Sequence, residues 1–456
     1  MENRGSKTKT LTVVVIFTTV LGMLLISVRC LTQEILVYKL GIDNKFTHTI
    51  LFDSSTLDDA SGENTVSSVN IDWANEYPFS KKDLESKSTD TTTHIGSYIT
   101  KYGEVISNLE DRVSRGFKTF LPGYKLFVEL SNLVEQKAGW NFVNYSEYNG
   151  LIMADNNYYI DIKPKQSISE CADSTIELDE FCKKKGINFL YVQQPNKTCK
   201  IEDKNIDGSL DFSNYNADSF LGIIKKAGVD CHDHREDIHS DNLNHHSLFY
   251  GTDHHWKAEN GCWAAKHLLE KIAEKYGYDI NTDLLSMEHF TKKTYKNRFF
   301  GSQGKKVGLK VAHPDDFTML YPKYDTKFHF IVPNKGIDKT GDFRVTYDMN
   351  QVRFTDYYHS SEYAAYNYSI APVHKIDNLK NKTGPKVLLI ADSFADCELS
   401  FIALGVNSLE SLDLRFFTGS VKTYIETSKP DIVIVAYVDF HAPIDWESHT
   451  AKFDFR

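Results

Sequence analysis

The chain has 456 residues, room for one large domain with an appendage or for two domains. A formal net charge of −10, on a chain in which 25% of residues are charged, argues against a nucleic-acid partner and for an ordinary solvated surface. Hydrophobic residues at 41% suit a globular core, and aromatic residues at 13% suit packed cores and sugar-binding surfaces alike.

Arg4, Lys7 and Lys9 precede residues 11–28, an uncharged run of 18 residues, "LTVVVIFTTVLGMLLISV". Such a run just spans a bilayer as a helix, and the positive flank places the N-terminus inside and the rest outside. Val28, Arg29 and Cys30 suit neither a signal-peptidase site nor a lipoprotein cysteine, so the segment reads as an uncleaved signal-anchor. Residues 1–29 are then the cytoplasmic tail and transmembrane anchor, with the body outside the cytoplasm. Residues 30–117 are polar and lack periodicity, as in a stalk or linker. The seven cysteines include no CxxC; outside the cytoplasm Cys171/Cys182 and Cys199/Cys231 are possible disulfide pairs.

From residue 118 the pattern tightens into a domain reaching about 445. "YKLFVELSNLVEQKAG" (124–139) is an amphipathic helix. Helices over 174–186, 218–228 and 259–277 alternate with strands "INFLYVQQP" (187–195) and "VDCHDHRE" (229–236). Later come strand "KVLLIADS" (386–393), helix 394–405, strand "LESLDLRFF" (409–417), helix 421–430 and strand "DIVIVAYV" (431–438). Apolar strands between helices predict an open, doubly wound α/β fold with a mostly parallel sheet. Residues 285–385, rich in Tyr, Phe and Asp, break the rhythm and read as an inserted, β-rich region over the active face.

In such sheets function collects at the carboxyl ends of the strands. Ser393 stands there, between a strand and a helix, where it is either a nucleophile beside a helix N-terminus or a plain cap. Its hydroxyl would need an imidazole base held by a carboxylate. "TDHHW" supplies both, since Asp253 and His255 are two residues apart and can share one side of an extended chain. Capping of the next helix is the structural alternative. Arg415 ends a neighbouring strand and either faces the crevice or makes a surface ion pair. Seven histidines lie between positions 232 and 255, and "HDH" (232–234) or "HH" (245–246) could ligate zinc.

"FYGTDHHW" before a helix, followed much later by strand–"DS"–helix, resembles the DHHW family. That family is similar to the SGNH-hydrolase-like domain of the alginate O-acetylation proteins. "INFLYVQQPNK", "RFFGSQGKKVG", "KVLLIADSFA" and "LDLRFFTGSVKTYI" fall where the family has similar segments, so the resemblance covers about residues 120–440. It implies an SGNH-like fold with permuted motif order: Asp253 as orienting carboxylate and His255 as general base precede Ser393 as nucleophile. It also implies His254 as spacer, Trp256 as packing, and an oxyanion site built from the Ser393 backbone with Asn367 and Gly301 as candidates. Tyr366 stands where the pattern favours glycine before the asparagine, and Ala391-Asp392-Ser393 replaces Gly-Asp-Ser.

The expected function is extracytoplasmic, serine-dependent acyl transfer, acetyl above all, to or from hydroxyls of a surface polysaccharide. No cofactor and no catalytic metal are expected. A multi-spanning membrane protein is the expected acyl-donor partner, because one transmembrane segment cannot carry a donor across a bilayer. Two rivals differ in class: a non-catalytic polysaccharide-binding or assembly protein, and a metal-dependent hydrolase using the histidine-rich loop.

Overall fold

The computed structural model describes residues 124–138, 142–143, 151–155, 157–353, 356–438 and 452–456. The chain divides into two units, 1–130 and 131–456, and of the first only residues 124–130 are described. The expected membrane anchor and stalk lie outside the described residues. Among the described residues no helix is long and apolar enough to cross a membrane.

In chain order, helix α1 (Tyr124–Lys137) precedes a small antiparallel sheet of β1 (Phe142–Val143), β2 (Leu151–Asp155) and β3 (Tyr158–Asp161). Then come α2 (Ser169–Lys185), β4 (Asn188–Gln193), α3 (Ser213–Lys226), β5 (Cys231–Asp233), α4 (His234–Ser240) and α5 (Ala258–Tyr276). Gly186 and Gly277 close α2 and α5 with φ of 68° and 74°, the left-handed stop expected of glycine. Strand β6 (Phe290–Phe299), short helix α6 (Ser302–Val307) and β7 (Asp315–Pro322) follow, with β6 and β7 paired as a ribbon. Strands β8 (Phe328–Val332), β9 (Ile337–Gly341), β10 (Val373–Asn378) and β11 (Lys386–Ala391) lead to α7 (Asp396–Gly405). The final elements are β12 (Ser408–Leu412), α8 (Val421–Ser428) and β13 (Ile432–Tyr437).

The main sheet has eight strands in the order β5-β4-β13-β11-β12-β10-β8-β9. The first five are parallel. The other three join antiparallel, so the sheet is mixed rather than mostly parallel. All three come from residues 285–385. These three strands of the segment therefore extend the sheet edge, while β6 and β7 stay apart as a two-stranded ribbon.

Side-chain alternation explains the two covered faces. Leu190, Val192, Val387, Leu389, Ile432 and Ile434 point into one core with α5 and α7. Phe189, Tyr191, Leu388, Ile390, Val433 and Val435 point into the other, with α2, α3 and α8. Leu268, Leu269 and Ile272 of α5 are fully buried in the first core, each worth about 1.5–3 kcal/mol.

Two predicted strands stop early, each at an aspartate. Asp233 accepts the Arg235 N–H at 3.0 Å and starts α4; Asp413 accepts the Arg415 N–H at 3.1 Å and turns the chain after β12. Cys182, Cys199, Cys231, Cys262 and Cys397 are free thiols. Cys171 and Cys182 lie on one helix, eleven residues apart, about 16 Å along its axis and beyond disulfide reach.

Candidate active site

Strand β11 ends at Ala391. Asp392 accepts the Phe394 N–H at 3.1 Å and opens a helical turn, residues 393–395, that runs into α7. Ser393 is the first residue of that turn, so its own N–H has no acceptor within it. Ala391 is not among the positive-φ residues, so alanine fits where glycine is common.

The second half of the site is the loop before α5. The Tyr250 N–H donates to His255 O at 3.1 Å and the Lys257 N–H to Leu248 O at 2.9 Å, which clips the loop at its neck. Asp315 accepts the N–H of Gly251 at 2.9 Å and of Thr252 at 2.8 Å. From beneath, the buried Lys197 ammonium donates to Tyr250 O, Gly251 O and Asp253 O at 2.9, 3.0 and 3.0 Å, and lies 2.8 Å from Gln303 Oε1. Burial pulls Lys197 down to about 7, against the raising charges of Asp315, Asp253 and Asp161.

This frame brings three groups into line. His255 Nε2 is 3.1 Å from Ser393 Oγ, and His255 Nδ1 is 2.6 Å from Asp253 Oδ1. Asp253 also accepts the N–H of His255 at 3.0 Å and of Ser302 at 2.8 Å. Burial alone would raise its carboxyl, but the adjacent imidazoles and these donors outweigh burial and hold it far below the usual carboxylate range. Tyr363 stacks on the His255 ring at 3.9 Å and 19°. Trp256 is fully buried and donates its indole N–H to Phe394 O at 3.1 Å, tying the loop to the serine's turn. His254 is half exposed, and its Nδ1 is 3.3 Å from Ser302 Oγ.

The other expected site residues have different partners. The Gly301 N–H donates to Thr252 Oγ1 at 3.0 Å, so it is not aimed at an oxyanion. Gly301 is needed for space: a Cβ there would lie 2.2 Å from Asp253 Cβ. Asn367 is buried; its amide donates to Asp396 O and accepts from Ser400 Oγ at 2.9 Å, so it grips α7. Arg415 forms a fork on Asp413, with contacts of 3.0 and 2.6 Å.

Lys197, Ser302, Asp315, Tyr363 and Lys452 were not marked by their sequence. Lys452 places its ammonium 2.6 Å from Asp392 Oδ2, both side chains buried. Burial would raise Asp392, but Lys452 and Arg415 keep it lowered. Only Lys197 had a local signal, as a cation just past a strand-ending proline. Of the histidine-rich stretch, His245 binds Asn196 O at 2.8 Å and His246 faces Asp203 at 3.0 Å, so the "HH" pair forms no ligand set. His232, His234 and Asp237 do converge.

Residues 155–309 match the family described as SGNH hydrolase-like domain, acetyltransferase AlgX. No curated protein matches the chain. Among solved structures, Bacillus cereus PatB1 with a sulfonyl adduct has TM-score 0.54 at 18% identity, covering 67% of this chain and 98% of that one. A second structure of Bacillus cereus PatB1 gives 0.53 at 18%, covering 67% and 99%. A DHHW family protein from Eubacterium siraeum gives 0.48 at 16%, covering 65% and 93%. At 18% identity the likeness to PatB1 is one of fold. Residues 155–309 are thus similar to the SGNH hydrolase-like domain described for AlgX, in line with the resemblance of the TDHHW stretch.

Proposed function

We propose that the protein is a serine acyltransferase that moves an acetyl group to or from a hydroxyl of a polysaccharide. The observation that carries this reading is the unbroken line from Asp253 through His255 to Ser393, at 2.6 and 3.1 Å. His255 takes the Ser393 proton through Nε2 while Oγ attacks the donor's carbonyl carbon. The electron pair moves to the carbonyl oxygen, and the Ser393 N–H, at the positive end of its turn, is the donor we assign to it. Collapse expels the donor's alcohol, which takes the proton from the imidazolium and leaves an acetyl ester on Ser393. An acceptor hydroxyl then gives its proton to His255, attacks the ester, and leaves with the acetyl group as Ser393 is reprotonated. Asp253 stays ionised and holds Nδ1–H, which fixes the tautomer in which Nε2 is the base.

The family match to an acetyltransferase domain favours transfer over hydrolysis. The charge-free run at residues 11–28 supports an anchored, extracytoplasmic enzyme that receives its acetyl donor from a multi-spanning membrane protein.

The test uses the full-length protein in detergent. Wild type should give a burst with p-nitrophenyl acetate, an acetyl adduct by intact mass, and covalent labelling by a sulfonyl fluoride, the class of adduct recorded for PatB1. Ser393→Ala should give none of the three. Equal signals from both proteins would sink the serine mechanism.

A further inference from the structure

We propose that the Lys197 ammonium is the positioning group for the triad's base: it holds the Tyr250–Asp253 turn, and through it His255, where Ser393 can be deprotonated, so that acylation requires this lysine charged. The inference rests on the serine reading above.

The lysine's own place is fixed first. It lies just past the end of β4 and is 4% exposed. Tyr158 of β3 donates its hydroxyl to Lys197 O at 3.0 Å and sets its ring 4.2 Å from Nζ. His245 Nε2 lies 2.8 Å from the preceding carbonyl, Asn196 O. Nζ then meets four oxygens at 2.8–3.0 Å: Tyr250 O, Gly251 O, Asp253 O and Gln303 Oε1. Gln303 is fully buried and gives its amide N–H to Asp161 Oδ2 at 2.7 Å, so its oxygen is the end that faces Lys197. Each of these partners is an acceptor or a π face. The three N–H groups of an ammonium suit such a shell; a neutral amine has one N–H fewer and a lone pair that would face oxygen.

What the ammonium grips is the support of Asp253. One acceptor is the carbonyl of Asp253 itself. Another, Gln303, belongs to α6, whose first residue, Ser302, gives its N–H to Asp253 Oδ2 at 2.8 Å. The backbone of Asp253 and the helix that binds its carboxylate are therefore tied to one buried cation. Without that charge, three carbonyl oxygens converge on one spot and repel, and the turn opens. The carboxylate that holds His255 Nδ1 at 2.6 Å moves with it. Burial brings Lys197 down to about 7; Lys257, just before α5, acts in the same direction, while Asp315 of β7, Asp253 of the turn and Asp161 of β3 oppose it. The ammonium is thus present below that pH and lost above it.

The test follows full-length protein in detergent by hydrogen exchange and by the p-nitrophenyl acetate burst across pH. In Lys197→Met the amides of residues 250–257 should exchange about tenfold faster than in wild type, with α5 and the circular dichroism unchanged. Acylation should fall about 10²-fold, the size expected for a misplaced reacting group. Wild-type acylation should decline on the alkaline side with a midpoint of about 7. That limb should be missing in Lys197→Met. It should lie at lower pH in Asp161→Asn, which keeps an acceptor for Gln303 but removes a charge that supports the ammonium. Asp161 lies outside the turn, so Asp161→Asn decides the matter even where Lys197→Met fails to fold. Wild-type exchange and acylation in Lys197→Met, no alkaline limb in wild type, or a limb that stays in place in Asp161→Asn would each overturn the proposal. A wild type without any burst sinks the serine mechanism instead, and exchange in Lys197→Met still decides whether the ammonium holds the turn.

Discussion

Asp253 is the residue on which the site's electrostatics turn. Three N–H groups point at its carboxylate: the backbone of His255 and Ser302 and the His255 ring. An asparagine has one acceptor oxygen and would set its NH2 against one of those donors. Asp253→Asn should keep the fold and lower kcat on the order of 10⁴-fold, the size known for neutralising a serine-triad carboxylate; the burst assay reads it directly. Glu362 offers a second test, one residue from the tyrosine that stacks on His255. Burial raises its carboxyl from 4.5 to about 7, partly opposed by Lys305 and Arg298. The folded state thus holds a proton that the unfolded chain releases between these values. Stability from this group is present below about 4.5 and declines as pH rises to about 7. Glu362→Gln removes the effect. Its melting temperature should gain on wild type across that window and keep a constant lead above it.

At the scale of elements, close backbone approach positions both halves of the site. Helix α5, which follows the TDHHW loop, meets α7, which follows Ser393, at Gly261. A Cβ there would lie 2.7 Å from Cys397 Sγ and 2.8 Å from Cys397 O, and the carbonyl belongs to the helix backbone. Gly261→Ala should cost about 1–3 kcal/mol by overpacking, measured by denaturant unfolding. At Gly301, the residue before α6, an added methyl would meet the carboxylate itself, 2.4 Å from Asp253 Oδ2. Gly301→Ala should therefore lower kcat more than it lowers stability, because the displaced group is the one that orients His255. A loss confined to the melting temperature would count against that account.

Across the whole molecule, the sheet carries Ser393 at the end of β11, with β13 and β12 on either side. The last described residues reach the same strand end: Phe453 and Phe455 fill the second core, and Lys452 meets Asp392. Removing one partner of a buried ion pair leaves an uncompensated charge, at about 3–5 kcal/mol. Lys452→Met should lose that much stability and slow acylation of Ser393. The double variant Lys452→Met/Asp392→Asn should recover most of the stability, because no lone charge remains. Equal stability of the single and double variants would show that the pair is not coupled.

The sequence alone determined the parts whose signals are local. Alternating apolar strands and helices with glycine stops marked most core elements, because burial on both sheet faces imposes continuous apolar runs on β4, β11 and β13. Ser393, Asp253 and His255 were legible because a strand–turn–helix and an Asp-x-His pair each occupy a few adjacent residues. The tertiary structure alone decided what depends on distant contacts. Whether β8, β9 and β10 form a separate layer or extend the sheet is a matter of register against β12, which their composition does not encode. Gly301 and Asn367 have oxyanion-site identities but are engaged elsewhere, since a hydrogen bond is set by the atoms that packing brings near. Lys197 reaches Gln303 across 106 positions and Lys452 reaches Asp392 across 60. No local pattern announces such pairs; only the closed fold, by excluding water around a charge, requires a partner for it.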